Sequence, residues 1–86
     1  MDVVTAHEPA WPRGLCVGCG QVWPCEPAVA ELVDEHGTGL PLAAALWAMF
    51  DQAAQAVPTA PALALYEQCI RRPLRYVARL TAGAGR

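Results

Sequence analysis

Lysine is absent from this chain, and all six of its basic side chains are Arg. With eight acidic residues the formal net charge is −2, which excludes a polyanion binder working through overall charge. Phe occurs once, so large core side chains are scarce. The hydrophobic fraction reaches 55% mainly because 17 residues are Ala. A disordered chain would be more polar than this. Ala richness with Arg in place of Lys points to a GC-rich bacterial genome, a matter of codon usage rather than mechanism. No long apolar run is present: the longest, Leu40 to Phe50, has 11 residues and is too short to span a bilayer. Met1-Asp2-Val3-Val4 offers neither a basic n-region nor an apolar h-region, so no secretory signal is expected. These absences predict a soluble cytoplasmic protein without membrane contact, whose thiols stay reduced.

What is present is concentrated at one end. His7, Cys16, Cys19 and Cys25 fall within 19 residues. Tetrahedral Zn²⁺ takes four such N and S ligands, as neutral imidazole and thiolate. Cys16-Val17-Gly18-Cys19 forms a short turn that aims two sulfurs at one point, and Gly20 admits the positive φ such a turn often needs. Cys25 follows on a loop long enough to double back. His7 completes a Cys₃His set with a formal charge of −1. Cys69, His36 and water are the alternative fourth ligands. The plainer roles of the first two are a small core hydrophobe and a helix C-terminal charge. A redox C-x-x-C is the competing reading, but such pairs sit at a helix N-terminus after a strand, and that context is missing.

Four protein ligands leave no open coordination position, so the expected zinc is structural. The zinc-deaminase pattern of H-x-E with P-C-x-x-C is not met by His7-Glu8-Pro9 and Leu15-Cys16. Walker A, G-x-S-x-G and H-E-x-x-H are also missing. Enzyme activity is not indicated.

Eighty-six residues make one domain, divided into a zinc-binding head, 1–26, and a helical body, 27–86. The head is rich in Pro and Gly, lacks helical periodicity, and accommodates a short hairpin around the cysteine turn. A first helix is expected over 27–36, with Pro27 at its start and Gly37 at its end. Val29, Leu32 and Val33 form its apolar face, opposite Glu31, Asp34 and Glu35. A second is expected over 40–56, with Leu42, Leu46, Met49, Phe50 and Ala53 inward and Pro58 as its stop. A third, capped by Thr59, turns Leu63, Tyr66, Ile70, Leu74, Val77 and Leu80 to one side, with a kink or break at Pro73 and fraying over 83–86. The expected fold is mainly α: a loop-rich Cys₃His knuckle packed on a three-helix body.

Two resemblances attach to these residues. The spacing Cys16-x₂-Cys19-x₅-Cys25 is similar to the last three cluster ligands of WhiB-like iron–sulfur regulators of actinobacteria, over about ten residues. That likeness implies a [4Fe–4S] cluster as an alternative to zinc. His7 stands where the family has its first cysteine, the Gly-Val/Ile-Trp-Gly-Gly turn is missing, and the basic tail is reduced to scattered Arg. More broadly, His7…Cys16-Val-Gly-Cys19-Gly…Trp23-Pro24-Cys25 resembles short actinobacterial proteins of uncharacterised function that carry H…C-x-x-C…W-P-C near the N-terminus. This implies a metal site, not an activity.

Arg71, Arg75 and Arg79 recur at i, i+4 and i+8 with Arg72 beside them, a stripe that could meet phosphate or an acidic partner. The plainer reading is a solvated face paired with Glu31, Asp34 and Glu35. Trp23 is expected to join the metal loop to the helices, and Trp47 to be core. The leading functional expectation is a small non-enzymatic zinc-binding adaptor or regulatory protein acting through protein–protein contacts, with a homodimer as one way to cover leftover apolar surface. The alternatives are a nucleic-acid-binding transcriptional regulator using Arg71, Arg72, Arg75 and Arg79, and an accessory subunit or small enzyme of a biosynthetic operon.

Overall fold

Two short strands open the chain: β1 (Pro9–Ala10) and β2 (Leu15–Cys16) pair antiparallel, with Pro9 opposite Cys16 and Ala10 opposite Leu15. They belong to a computed structural model that describes residues 7–84. The signal-peptide reading of Met1–Val4 therefore lies outside the described residues. The hairpin turn spans residues 11–14, not the cysteine turn. The cysteine turn is closed by a single bridge between Leu15 and Val22 and by Cys16 N–H donating to Gln21 O at 2.7 Å.

Helix α1 (Glu26–His36) begins where Pro27 pre-sets the helical φ, and ends at Gly37, whose N–H donates to Val33 O. Val29 is buried in the body, and Leu32 and Val33 pack against the same core, while Glu31, Asp34 and Glu35 are exposed. Helix α2 (Leu40–Ala56) buries Leu42, Leu46 and Ala53 on one side, with Met49 and Phe50 at its margins. Burying each Leu contributes about 2 kcal/mol. These two helices match the periodicity of the sequence.

Trp47 does not. It is 50% exposed, edge-on to Phe50 and tilted against Tyr66. One residue beyond buried Leu46, it is turned about 100° from the core direction.

The third rod differs more. Pro61, not Thr59, is its N-cap, and no side chain caps it. Helix α3 (Ala62–Tyr66) runs into a π-helical turn (Glu67–Arg71) and then α4 (Arg72–Ala84), all in right-handed helical backbone at the junctions. The Arg72 N–H reaches back to Glu67 O, the i−5 bond of a π turn. Pro73 explains it: a proline inside a helix has no N–H to donate and its ring crowds the carbonyl four residues earlier. The wider turn before Pro73 accommodates both, so the helix continues and buries Pro73. It also changes which side chains face inward. Leu65, Cys69, Pro73 and Val77 are buried, together with Ile70, whereas Leu63, Leu74 and Leu80 are exposed. Three steps of four residues drift about 120° on a regular α-helix; the extra residue in the π turn cancels most of that. The helical backbone runs on to Ala84, past the start of the expected fraying, and residues 85 and 86 lie outside the description.

Two apolar clusters result. The body core is Val29, Leu42, Leu46, Ala53, Leu65, Cys69, Ile70 and Val77; the head core is Cys16, Trp23, Cys25 and Ala28. Trp11 and Met49 pack against both and join head to body. Among the described residues no helix is long and apolar enough to cross a membrane.

Candidate metal centre

His7 enters just before β1, Cys16 ends β2, Cys19 closes the turn that follows, and Cys25 caps α1. Chain segments from residues 7–25 thus converge on one point. One donor atom from each of the four lies within 4.8 Å of all the others. His7 Nδ1 is 3.3 Å from both Cys16 Sγ and Cys25 Sγ. Four ligands around one tetrahedral zinc, at Zn–S and Zn–N bond lengths, would be separated by about 3.6 Å for N···S and about 3.8 Å for S···S. The cluster already has the size of a single-ion site, and these residues can hold a metal ion.

Backbone geometry prepares the turn. Gly20 has φ +78°, as the turn was expected to need, and its N–H donates to Cys16 O at 2.9 Å. The Gly18 N–H donates to Cys16 Sγ at 3.3 Å. Burial by itself would raise the Cys16 thiol, but the amides of Cys19 and Gly18 and the His7 ring outweigh it and bring it down to about 6. Cys25 moves the other way: burial pushes it up to about 11, against the pull of the Ala28 amide and with Cys16 and Cys19 close by. Without a metal, then, the pair shares its charge unequally, with Cys16 ionised and Cys25 protonated. A bound cation reverses that for Cys25.

The head is held to the body by two NH₂ groups. Gln68 Nε2 donates to Gly14 O at 3.3 Å and to Trp23 O at 2.8 Å. Arg72 Nη2 donates to Val22 O at 3.1 Å and to Pro24 O at 2.7 Å. Each group bridges two carbonyls of the metal-binding loop. Gly14 leaves room for this contact: it has φ +70°, and a Cβ there would stand 2.9 Å from Gln68 Nε2. Burial lowers the proton affinity of Arg72, opposed in part by the Glu26 carboxylate and the neighbouring cysteine sulfurs.

The Arg residues are thus divided. Arg72, half-buried, is turned into the molecule by the π turn. Arg71, Arg75 and Arg79 are exposed, but their acidic partners are not those expected on α1. Glu67 pairs with Arg71 at 3.5 Å and also with Arg75, and Glu26 pairs with Arg79 at 3.3 Å. Arg79 also lies over the Tyr76 ring, 5.5 Å from its centroid. Glu67 sits one turn before Arg71 and two before Arg75 on the same rod, and Glu26 at the start of α1 faces α4, whereas Glu31, Asp34 and Glu35 are about one and a half to two and a half turns further along.

The alternative ligands lie elsewhere. Cys69 is fully buried in the body core, and His36 ends α1 with Nε2 3.7 Å from Glu35. Replacing Cys69 by Ala is therefore expected to leave metal content unchanged, whereas His7→Ala and Cys19→Ser each lower it. Metal-to-protein ratios after gel filtration decide this. Loss of metal from the Cys69 variant, with retention in His7→Ala, would reassign the ligand set.

Sequence reasoning did not find the Gln68–Arg72 clamp. On a regular helical period both residues lie opposite the expected face of Leu63, Ile70 and Leu74, and only the π turn brings them toward the head.

The sequence matches no family model, and comparison with curated proteins and with solved structures finds no similar chain.

Proposed function

We propose that this is a non-enzymatic zinc-binding adaptor or regulatory protein, in which a structural zinc ion folds the head and the helical body meets a protein partner. The observation behind this reading is the convergence of His7, Cys16, Cys19 and Cys25 within 4.8 Å. Four protein donors fill a tetrahedral shell and leave no position for substrate. One imidazole among the donors disfavours an iron–sulfur cluster, which is normally held by four thiolates. Protein contacts are favoured over nucleic acid because Arg71, Arg75 and Arg79 are matched by Glu67 and Glu26, while Trp47, Leu40 and Leu63 stand half to largely exposed.

Elemental analysis of protein purified without added metal tests the first part. Roughly one zinc per chain and little iron is the expected result, since one Cys₃His set holds one ion. A brown protein absorbing near 400 nm would sink it in favour of a cluster.

Fluorescence anisotropy with duplex DNA and single-stranded RNA tests the second. Contacts from roughly three Arg would give a log K against log salt slope near −3, too weak for binding at physiological salt. Sub-micromolar, sequence-dependent binding at moderate salt, abolished by changing Arg71, Arg75 and Arg79 together to Gln, would replace the adaptor reading with a nucleic-acid one.

A further inference from the structure

The three cysteines of the cluster are not equivalent. Cys16 is 3% exposed and Cys25 is fully buried, whereas Cys19 is exposed. Cys16 Sγ accepts the Gly18 N–H. Among the described residues, no backbone N–H donates to Cys19 Sγ. A hydrogen bond to a thiolate draws charge off sulfur and lowers its nucleophilicity, and burial denies access to a reagent. Both effects protect Cys16, and Cys25 is buried with the Ala28 amide on its sulfur as well. Neither acts on Cys19.

We propose that Cys19 is a modification site: the sulfur at which this centre reacts with hydroperoxides and other soft electrophiles, with release of the metal. The proposal rests on the zinc reading above, because a zinc-bound thiolate stays deprotonated and nucleophilic at neutral pH. The Cys19 thiolate attacks the outer peroxide oxygen. The S–O bond forms, the O–O bond breaks, and the departing alkoxide or hydroxide takes a proton. Cys19 becomes a sulfenic acid as the peroxide is reduced to alcohol or water. The thiolate of Cys16 or Cys25 then attacks the Cys19 sulfur. The S–S bond forms, the S–O bond breaks, and hydroxide leaves and takes a second proton to become water. Overall, two thiolates, one hydroperoxide and two protons give one disulfide, one alcohol and one water. Both partner sulfurs are within 4.8 Å of Cys19, so closing to an S–S bond of about 2.0 Å needs only a small movement of the turn. The disulfide withdraws two of the four ligands, and His7 with one remaining Cys holds zinc poorly.

The test uses the zinc-loaded full chain. Limiting N-ethylmaleimide followed by peptide mass spectrometry is expected to label Cys19 at least about tenfold ahead of Cys16, Cys25 and Cys69, as exposure dictates. One equivalent of hydrogen peroxide is expected to release zinc to a chromogenic chelator and to yield a disulfide that includes Cys19. First labelling at Cys16, Cys25 or Cys69 overturns the proposal. So does zinc that stays bound through oxidation, or a disulfide that leaves Cys19 out. Each of those outcomes leaves the structural-zinc reading standing. A chain purified without any zinc removes that reading first, and this one with it.

Discussion

Stripping the metal with excess chelator at neutral pH is expected to unfold the head while most of the helix survives. The head core is Cys16, Trp23, Cys25 and Ala28, so half of it is metal-binding cysteine. Its two strands have two residues each. Hydrogen bonds alone do not hold so short a hairpin in water. Zinc binding contributes about 10–16 kcal/mol in isolated finger peptides, and that free energy is folding free energy. The value here should be smaller, because the hydrogen bonds of Gln68 and Arg72 to the loop also favour its folded form. The body differs: Leu42, Leu46, Leu65, Ile70 and Val77 pack together without any ligand residue. Near-ultraviolet dichroism from Trp11 and Trp23 should therefore collapse on chelation, far-ultraviolet helix signal should fall only modestly, and added zinc should restore both. An unchanged Trp signal in fully metal-free protein would show that the head folds without an ion.

Acidity follows from the same site. Between about pH 6 and about pH 11 the metal-free Cys16–Cys25 pair keeps one proton, on Cys25, which the metal must displace. Zinc affinity should therefore rise with pH through this window by at least about tenfold per unit, and weaken more steeply below about pH 6 as Cys16 also binds a proton. A competition titration between pH 6 and pH 8 measures the slope.

The site and the first two helices were legible in the sequence because each depends on short-range pattern. Ligand types at close spacing point to the grouping of His7, Cys16, Cys19 and Cys25 that the fold brings together, and Val29, Leu32 and Val33, or Leu42, Leu46 and Met49, sit at helical intervals. The third rod was not legible. Its expected face of Leu63, Tyr66, Ile70, Leu74, Val77 and Leu80 assumes a constant 3.6-residue period. Pro73 was recognised as a disturbance, but whether a helix breaks, kinks or widens at a proline depends on what packs around it. The π turn settles that locally, moves Leu63 and Leu80 outward, and brings Arg72 under the head. Trp47 was misplaced for a related reason: three rather short helices cannot enclose every large apolar side chain.

Arg72→Met is expected to be the most damaging change outside the ligands and the apolar core. A hydrogen bond from a charged donor contributes about 1.5–3 kcal/mol, and Arg72 makes two, to Val22 O and Pro24 O. Partial exposure reduces this, since water can reach part of the guanidinium. Removal leaves the carbonyl of buried Pro24 without its 2.7 Å partner. The net cost should be about 2–3 kcal/mol, or a drop in Tm of roughly 10–20 °C for a domain of this size. Zinc should also bind more weakly, because the loop carrying Cys25 is then less well ordered before the ion arrives. Gln68→Ala acts on Gly14 O and Trp23 O in the same loop, so the two changes together should cost less than their sum. Arg75→Met is the control: its side chain is 59% exposed and its pairing with Glu67 is on the surface, so it should change stability by no more than about 0.5 kcal/mol. Thermal unfolding of the unaltered protein and the four variants, zinc-loaded and at equal concentration, makes the comparison. If Arg72→Met melts with Arg75→Met, the clamp does not couple head to body, and the metal centre and the helical rod behave as independent units.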